Sequence, residues 1–125
     1  TTRRRMLARR YRTALAGTDT VVVPREFDDG HVYHLFPVLS TSRASLQAHL
    51  TGAGVETLIH YPIAIPKQPA MADQNPAACP IAERVSADVL SLPLYPSLDP
   101  EAVDKVADAI AAWREASAGA AHRAR

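Results

Sequence analysis

The chain has 125 residues, 47% of them hydrophobic, and a formal net charge of +1 at pH 7. This length and apolar content predict one folded domain and exclude a wholly disordered chain, and the small net charge argues against a nucleic-acid-binding protein. The single cysteine, Cys79, excludes an internal disulfide framework, and no apolar run forms a signal peptide or approaches the ~20 residues of a membrane span, so we expect a cytoplasmic protein.

The N-terminal stretch predicts a basic helix. Six arginines fall within the first twelve residues, and Leu7, Tyr11 and Leu15 form an apolar stripe at helical spacing, which Gly17 can end. Such charge is typical of an arm that binds RNA or phosphate, or of a surface helix. The apolar stripe favours the surface helix. Because the helical pattern opens at Thr1 rather than at a methionine, we expect a fragment or a processed product.

Three extended segments follow along the chain. Residues 32–39 are rich in β-branched and aromatic side chains on both faces, which predicts a central strand. Residues 55–60 and 89–94 predict two further strands. With helices between them, the pattern predicts an α+β fold in which a three-stranded, mostly antiparallel sheet packs against helices in two layers.

Helices are expected near residues 42–52 and 80–87 and, most clearly, after Asp99. Asp99 is a good N-cap, Pro100 suits the first helical position, and Glu101 favours the positive end of the helix dipole. Five side chains then form one apolar face: Val103, Val106, Ala107, Ile110 and Trp113. After Ala116 we expect the helix to end and a flexible basic tail, residues 117–125, to follow.

Candidate catalytic and metal-binding groups are sparse. His31 and His34 are three apart in a predicted strand and point to opposite faces, so they cannot share a metal, and we expect no metal site. Cys79 and His60 flank one loop, which allows a nucleophilic pair, but a lone cysteine is more often a packing residue. The proline-rich loop of residues 61–76 is either functional or a stiffened surface loop.

Several motifs occur in a fixed order: HVYHLF at residues 31–36, HYP with QPA in residues 60–70, CPIAE at 79–83 and LSLPLYP at 90–96. Together with the basic first helix, they resemble the C-terminal small domain of the DegT-type (DegT/DnrJ/StrS) pyridoxal-phosphate (PLP) nucleotide-sugar aminotransferases. The resemblance covers about residues 3–114. It implies the small domain of the fold-type I PLP aminotransferases, with residues 1–17 as a linking helix and residues 18–116 as the domain.

In this family a lysine of the large domain binds PLP as a Schiff base, and an amino group passes, usually from glutamate, to a keto sugar on a nucleotide. The small domain closes over the cleft. The resemblance therefore implies that His60, Tyr61 and Gln68 line or support the substrate site, with His34 behind it. Two positions depart from the family pattern. Pro66 stands where a histidine is common, and Met71 stands where an aromatic residue is common.

The only lysines are Lys67 and Lys105, and neither lies where the family places its cofactor lysine. We therefore expect no catalytic or cofactor-binding residue on this chain and no activity from the chain alone. One hypothesis is the C-terminal part of an aminotransferase, whose partners are a large domain or second subunit, the nucleotide-linked sugar and the amino donor. The alternative is a stand-alone, non-catalytic domain that binds a partner protein or a nucleotide sugar. A homodimer is compatible with both.

Overall fold

A computed structural model describes the backbone of residues 1–123 and the side chains of residues 1–113. Four α-helices and two β-strands are joined by loops, one of which contains two 3₁₀ turns, Ile65–Lys67 and Pro69–Gln74. No helix within the described residues is both long and apolar enough to cross a membrane. In chain order the elements are α1 (Thr2–Ala14), β1 (Phe36–Leu39), α2 (Arg43–Gly52), α3 (Pro80–Asp88), β2 (Val89–Leu92) and α4 (Pro100–Arg123).

The sheet consists of β1 and β2, which run antiparallel with Phe36 opposite Leu92. A single bridge extends it on each side, from Val22 to Leu39 and from Leu58 to Ser91. The α+β class is thus confirmed, but the three-stranded sheet is not. Residues 55–60 contribute one bridge instead of a strand, because the start of this segment bonds to the helix before it: the Val55 N–H donates to the Leu50 carbonyl, and the Thr57 carbonyl accepts from Gln47.

Both strands are shorter than expected. The strand predicted at residue 32 begins only at Phe36, because Tyr33 has φ +51° and this left-handed conformation interrupts an extended ladder. The strand predicted to reach residue 94 ends at Leu92, one residue before a proline. The sheet is therefore short, and a long irregular segment, residues 24–35, precedes β1.

The core joins α1, α2, α4 and the sheet, whereas α3 contributes no buried residue. Helix α4 packs against both α1 and α2, and α2 also contacts β2. Tyr11 of α1 is fully buried and stacks on Phe36 of β1, with ring centroids 4.7 Å apart. The expected apolar face of α4 is buried as well, with Trp113 packed at its edge. Helix α1 is therefore part of the same core as the sheet.

The helix starts agree with the sequence prediction. The carboxylate of Asp99 accepts a hydrogen bond from the Glu101 N–H at 3.0 Å, and Pro100 opens α4 as expected. Ser42 occupies the N-cap of α2, although its side chain makes no capping bond. Helix α4 continues past Ala116, where we expected an end, and its alanine-rich sequence has a high helix propensity. The flexible tail expected at 117–125 extends beyond the described residues and stays a prediction.

Candidate functional site

The proline-rich loop is an ordered structure. The two 3₁₀ turns contain Pro66 and Pro69, and the Lys67 N–H donates to the Ala64 carbonyl at 2.8 Å. Ala64 is buried and anchors the loop to the body of the domain. The ammonium of Lys67 lies 3.8 Å from a carboxylate oxygen of Glu83, which links the loop to α3. These contacts hold the middle of the loop against the body of the domain.

His60 stands at the entrance to this loop. Its Nδ1 lies 3.0 Å from the hydroxyl oxygen of Ser91, and the backbone of Ser91 bridges to Leu58, two residues before His60. The ring of His60 meets that of Tyr61 edge-on, with centroids 5.5 Å apart and an interplanar angle of 88°. The peptide bond between these two residues is cis. His60 is half-buried, whereas Tyr61 is 71% exposed.

An open cleft of about 490 Å³, here called the loop cavity, lies on the loop itself. It brings together Tyr61 and Gln68, two of the residues that the sequence assigns to a substrate site. The phenol and the amide provide hydrogen-bond donors and acceptors, and the prolines make the walls rigid. The lining residues are Tyr61, Pro62, Ile63, Gln68, Pro69 and Ala70.

A larger cavity of about 600 Å³ is lined in part by His60. Its wall is mostly apolar and comes from residues 53–60, β2, the segment after β2 and α4. Besides the phenol of Tyr95, four side chains in the wall can form hydrogen bonds or ion pairs: Glu56, His60, Ser91 and Lys105. This size and mixture are typical of a small-molecule site.

The structure separates the other candidate residues from these cavities. His34 is exposed and lines neither cavity, and its carbonyl accepts a hydrogen bond from Arg4 at 2.7 Å. Cys79 is exposed, and its thiol lies 3.7 Å from the carbonyl of Ala77 rather than next to His60. Among the described residues no group of three or more histidine, cysteine, aspartate and glutamate side chains could hold a metal ion.

Five of the six arginines of α1 bind the chain itself. Arg4 and Arg5 donate to backbone carbonyls in residues 31–34, and Arg12 donates to the Pro24 carbonyl at 2.7 Å. Arg10 pairs with Asp104 of α4, and this bond lowers the pKa of the Asp104 carboxyl. These contacts engage the positive charges within the domain, which favours the surface helix over an arm that binds RNA or phosphate.

One buried tyrosine completes this arrangement. The phenol of Tyr33 donates to Glu26 and accepts a hydrogen bond from Arg12 at 3.1 Å. Burial and the bond to Glu26 raise the pKa of this phenol. Sequence patterns did not reveal the role of Tyr33, or of Ser91 beside His60, because both depend on contacts between distant segments. The only sequence signal for a role of Ser91 was its position as a polar residue in a strand of leucines.

Comparison with known proteins now identifies the family. Residues 1–111 match the DegT/DnrJ/EryC1/StrS aminotransferase family. The chain belongs to this family. It is 42% identical over 107 residues to the erythromycin biosynthesis sensory transduction protein EryC1 of Saccharopolyspora erythraea, covering 83% of this chain and 29% of that protein.

A relative in sequence and a match in structure come from Streptomyces venezuelae. The dTDP-3-amino-3,4,6-trideoxy-alpha-D-glucose transaminase is 38% identical over 116 residues, which cover 90% of this chain and 31% of that protein. The crystal structure of S. venezuelae DesV in complex with a ketimine intermediate superposes with a TM-score of 0.85 at 37% identity, covering 90% of this chain and 31% of that chain. The chain therefore spans about three tenths of the length of these relatives.

The family is PLP-dependent, but the described side chains do not fit that cofactor. PLP requires a lysine, an acid facing the pyridine nitrogen and a cradle for the phosphate. Lys67 is paired with Glu83 on the exterior, and Lys105 lies at the rim of a cavity with mainly apolar walls. Neither cavity contains an arginine or a cluster of hydroxyl groups to hold a phosphate. Neither cavity thus brings all three of these groups together.

Proposed function

We propose that this chain is the C-terminal part, the small domain, of a PLP-dependent aminotransferase that acts on a nucleotide-linked keto sugar. One observation carries the proposal. The family match takes in residues 1–111, yet the chain spans only 29–31% of the length of the relatives. A cofactor lysine would then lie on a large domain. When bound there, PLP supplies the amino-transfer chemistry, and the residues described here bind and orient the sugar.

The names of the relatives support the substrate class. They include transaminases of dTDP-linked amino sugars and, from Pseudomonas aeruginosa, a UDP-2-acetamido-2-deoxy-3-oxo-D-glucuronate aminotransferase that is 39% identical over 85 residues. Both groups act on a sugar carried by a nucleotide, as their names state. No comparison supports the alternative of a stand-alone, non-catalytic domain.

In this proposal the loop cavity forms one wall of the sugar site. The exposed ring of Tyr61 can pack on the apolar face of a sugar, and the amide of Gln68 can bond to its hydroxyl groups. Pro66 offers no proton donor where many family members have histidine, so the sugar contacts differ from theirs at this position. His34 lies outside both cavities, and we leave it out of the proposed sugar contacts.

The exposed apolar residues near the loop support a docked partner. Tyr61, Ile63 and Ile65 of the loop and Ile81 of α3 are 71%, 47%, 68% and 70% exposed. Single exposed apolar residues are ordinary, but four at neighbouring positions favour an interaction surface. We propose that a large domain covers them, from the same protein or from a second subunit. The exposed, free Cys79 fits a reducing cytoplasm.

A chimaera tests this function. The matching C-terminal part of the S. venezuelae transaminase is replaced by residues 1–111, and the purified, PLP-loaded protein is assayed on dTDP- and UDP-linked keto sugars with glutamate as amino donor. We expect turnover of at least one sugar. Gln68→Ala should lower kcat/KM about 5- to 10-fold, because it removes about 1 kcal/mol of hydrogen bonding.

The matched control is Gln74→Ala, because Gln74 is exposed at the end of the same loop and lies outside the loop cavity. We expect its kcat/KM to equal that of the unmodified chimaera. A folded, PLP-loaded chimaera that turns over none of the sugars contradicts the proposed function. Equal losses in Gln68→Ala and Gln74→Ala contradict the proposed role of the loop cavity.

A further inference from the structure

We infer that Ser91 is a positioning residue that holds His60 in the tautomer protonated on Nε2. His60 then presents a fixed N–H donor to the larger cavity. The contact that carries the inference joins the Ser91 hydroxyl oxygen to His60 Nδ1 at 3.0 Å. A histidine ring has one donor and one acceptor nitrogen when neutral, and the hydrogen bond at one nitrogen decides the role of the other.

The direction of this bond follows from the surroundings of Ser91. The residue is 5% exposed, and its backbone N–H and carbonyl are both used by Leu58, at 2.7 Å and 3.2 Å. Within the described residues the only partner of its hydroxyl is His60 Nδ1. If Nδ1 carried the proton, the hydroxyl hydrogen would find no acceptor among the described residues. Such a loss is unfavourable, so the hydroxyl donates and Nδ1 accepts.

The ring of His60 is held from two directions. Ser91 lies in β2, where it is opposite residue 37 of β1 and bridged to Leu58, so its hydroxyl has a rigid support. The edge-on contact with Tyr61 restrains the ring from the loop side. No protein partner of Nε2 is found among the described residues. The donor is therefore preorganised and available for a ligand.

The ligand chemistry that suits this donor is an oxygen acceptor. His60 and Lys105 both line the larger cavity, and both offer N–H groups, whereas the carboxylate of Glu56 can accept from hydroxyl groups. A sugar with a keto or hydroxyl oxygen near His60 fits this set. This identification of the ligand rests on the proposed function, but the tautomer of His60 does not.

The test is nitrogen NMR of the full chain with ¹⁵N-labelled histidine, recorded at about pH 8, where histidine is neutral. Two other residues act as internal references. His49 Nε2 lies 2.9 Å from the Ala109 carbonyl and must carry a proton, and His31 Nδ1 accepts from the Tyr33 N–H at 3.0 Å. Loss of one set of signals in His60→Gln assigns His60.

We expect the Nδ1 and Nε2 shifts of His60 to be separated in the same sense as those of His49. In Ser91→Ala the separation should shrink toward that of a tautomer mixture. Ser40→Ala removes a hydroxyl from another buried serine, one that does not contact His60, and should leave the His60 signals unchanged. If Ser91→Ala does not fold, the unmodified chain still decides which nitrogen of His60 carries the proton.

Two outcomes overturn the inference. One is a His60 protonated on Nδ1 in the unmodified chain, and the other is a Ser91→Ala protein that keeps the full separation. Because no sugar or PLP enters this measurement, its result is independent of the chimaera assay. A correct tautomer with an inactive chimaera would refute the proposed function alone, and an active chimaera with the wrong tautomer would refute the role of Ser91 alone.

Discussion

Tyr11 connects the first helix to the segment that precedes α4, and its removal tests whether α1 belongs to the core. The side chain is fully buried, and its hydroxyl donates to the Pro93 carbonyl at 2.9 Å. Tyr11→Phe keeps the ring but leaves that carbonyl without its donor, which should lower the free energy of unfolding by about 1–2 kcal/mol. Tyr11→Ala also removes the ring stacked on Phe36, and we expect a loss of about 3–5 kcal/mol.

Urea denaturation of the full chain, followed by circular dichroism, measures both losses, since a domain of this size is expected to unfold in a two-state manner. Tyr95→Phe is the matched control. Tyr95 is 49% exposed, so the loss of its hydroxyl should change the free energy of unfolding by no more than about 0.5 kcal/mol. If Tyr11→Phe equals the control and Tyr11→Ala loses less than about 1 kcal/mol, α1 does not form part of the core.

Three further predictions concern pH, the N-terminal arginines and the cofactor. Burial, with a smaller effect of Tyr95, raises the pKa of Tyr11. The phenol therefore ionises at a lower pH in the unfolded chain than in the folded chain, so the free energy of unfolding should fall from about pH 10 upward. The advantage of the unmodified chain over Tyr11→Phe in urea denaturation should shrink by about 1.4 kcal/mol per pH unit there, and a constant advantage up to pH 11 would contradict this. Arg12→Ala should speed amide exchange in residues 24–35 about tenfold, because it removes hydrogen bonds worth about 1.5 kcal/mol. The control is Arg9→Ala, since Arg9 has no hydrogen-bond partner in the described structure, and it should leave the exchange rates unchanged. Equal rates in the two variants would refute the role of Arg12. After incubation of the chain with PLP and reduction with borohydride, mass spectrometry should show no stoichiometric pyridoxyl adduct, and one on Lys67 would show that the chain holds the cofactor.

The helices were predictable because their signals are local. Asp99 and Pro100 mark the start of α4, and Pro80 marks the start of α3, each through the first helical turn. The strand ends were not predictable, because distant contacts determine them. Tyr33 has a left-handed backbone conformation, and two arginines more than twenty positions away hold it: Arg4 donates to its carbonyl and Arg12 to its hydroxyl.

The candidate site shows the same division. The length of the proline-rich loop predicted either a functional loop or a stiffened surface loop, and its two 3₁₀ turns bring Tyr61 and Gln68 to one cleft. The partner of His60 could not be predicted from local pattern, because Ser91 is 31 residues away and comes near only through the bridge to Leu58. The sequence predicts a strand at residues 55–60, but among the six Leu58 alone pairs with β2.

The contacts of α1 constrain how such a domain could move. Leu7 and Tyr11 are fully buried in the core, and Arg4 and Arg12 hold the irregular segment that leads into β1. A bend inside α1 would expose these side chains and break those hydrogen bonds, at a cost of several kcal/mol. In the proposed enzyme, closure over the sugar would therefore move α1, the sheet and the loop of His60 as one body.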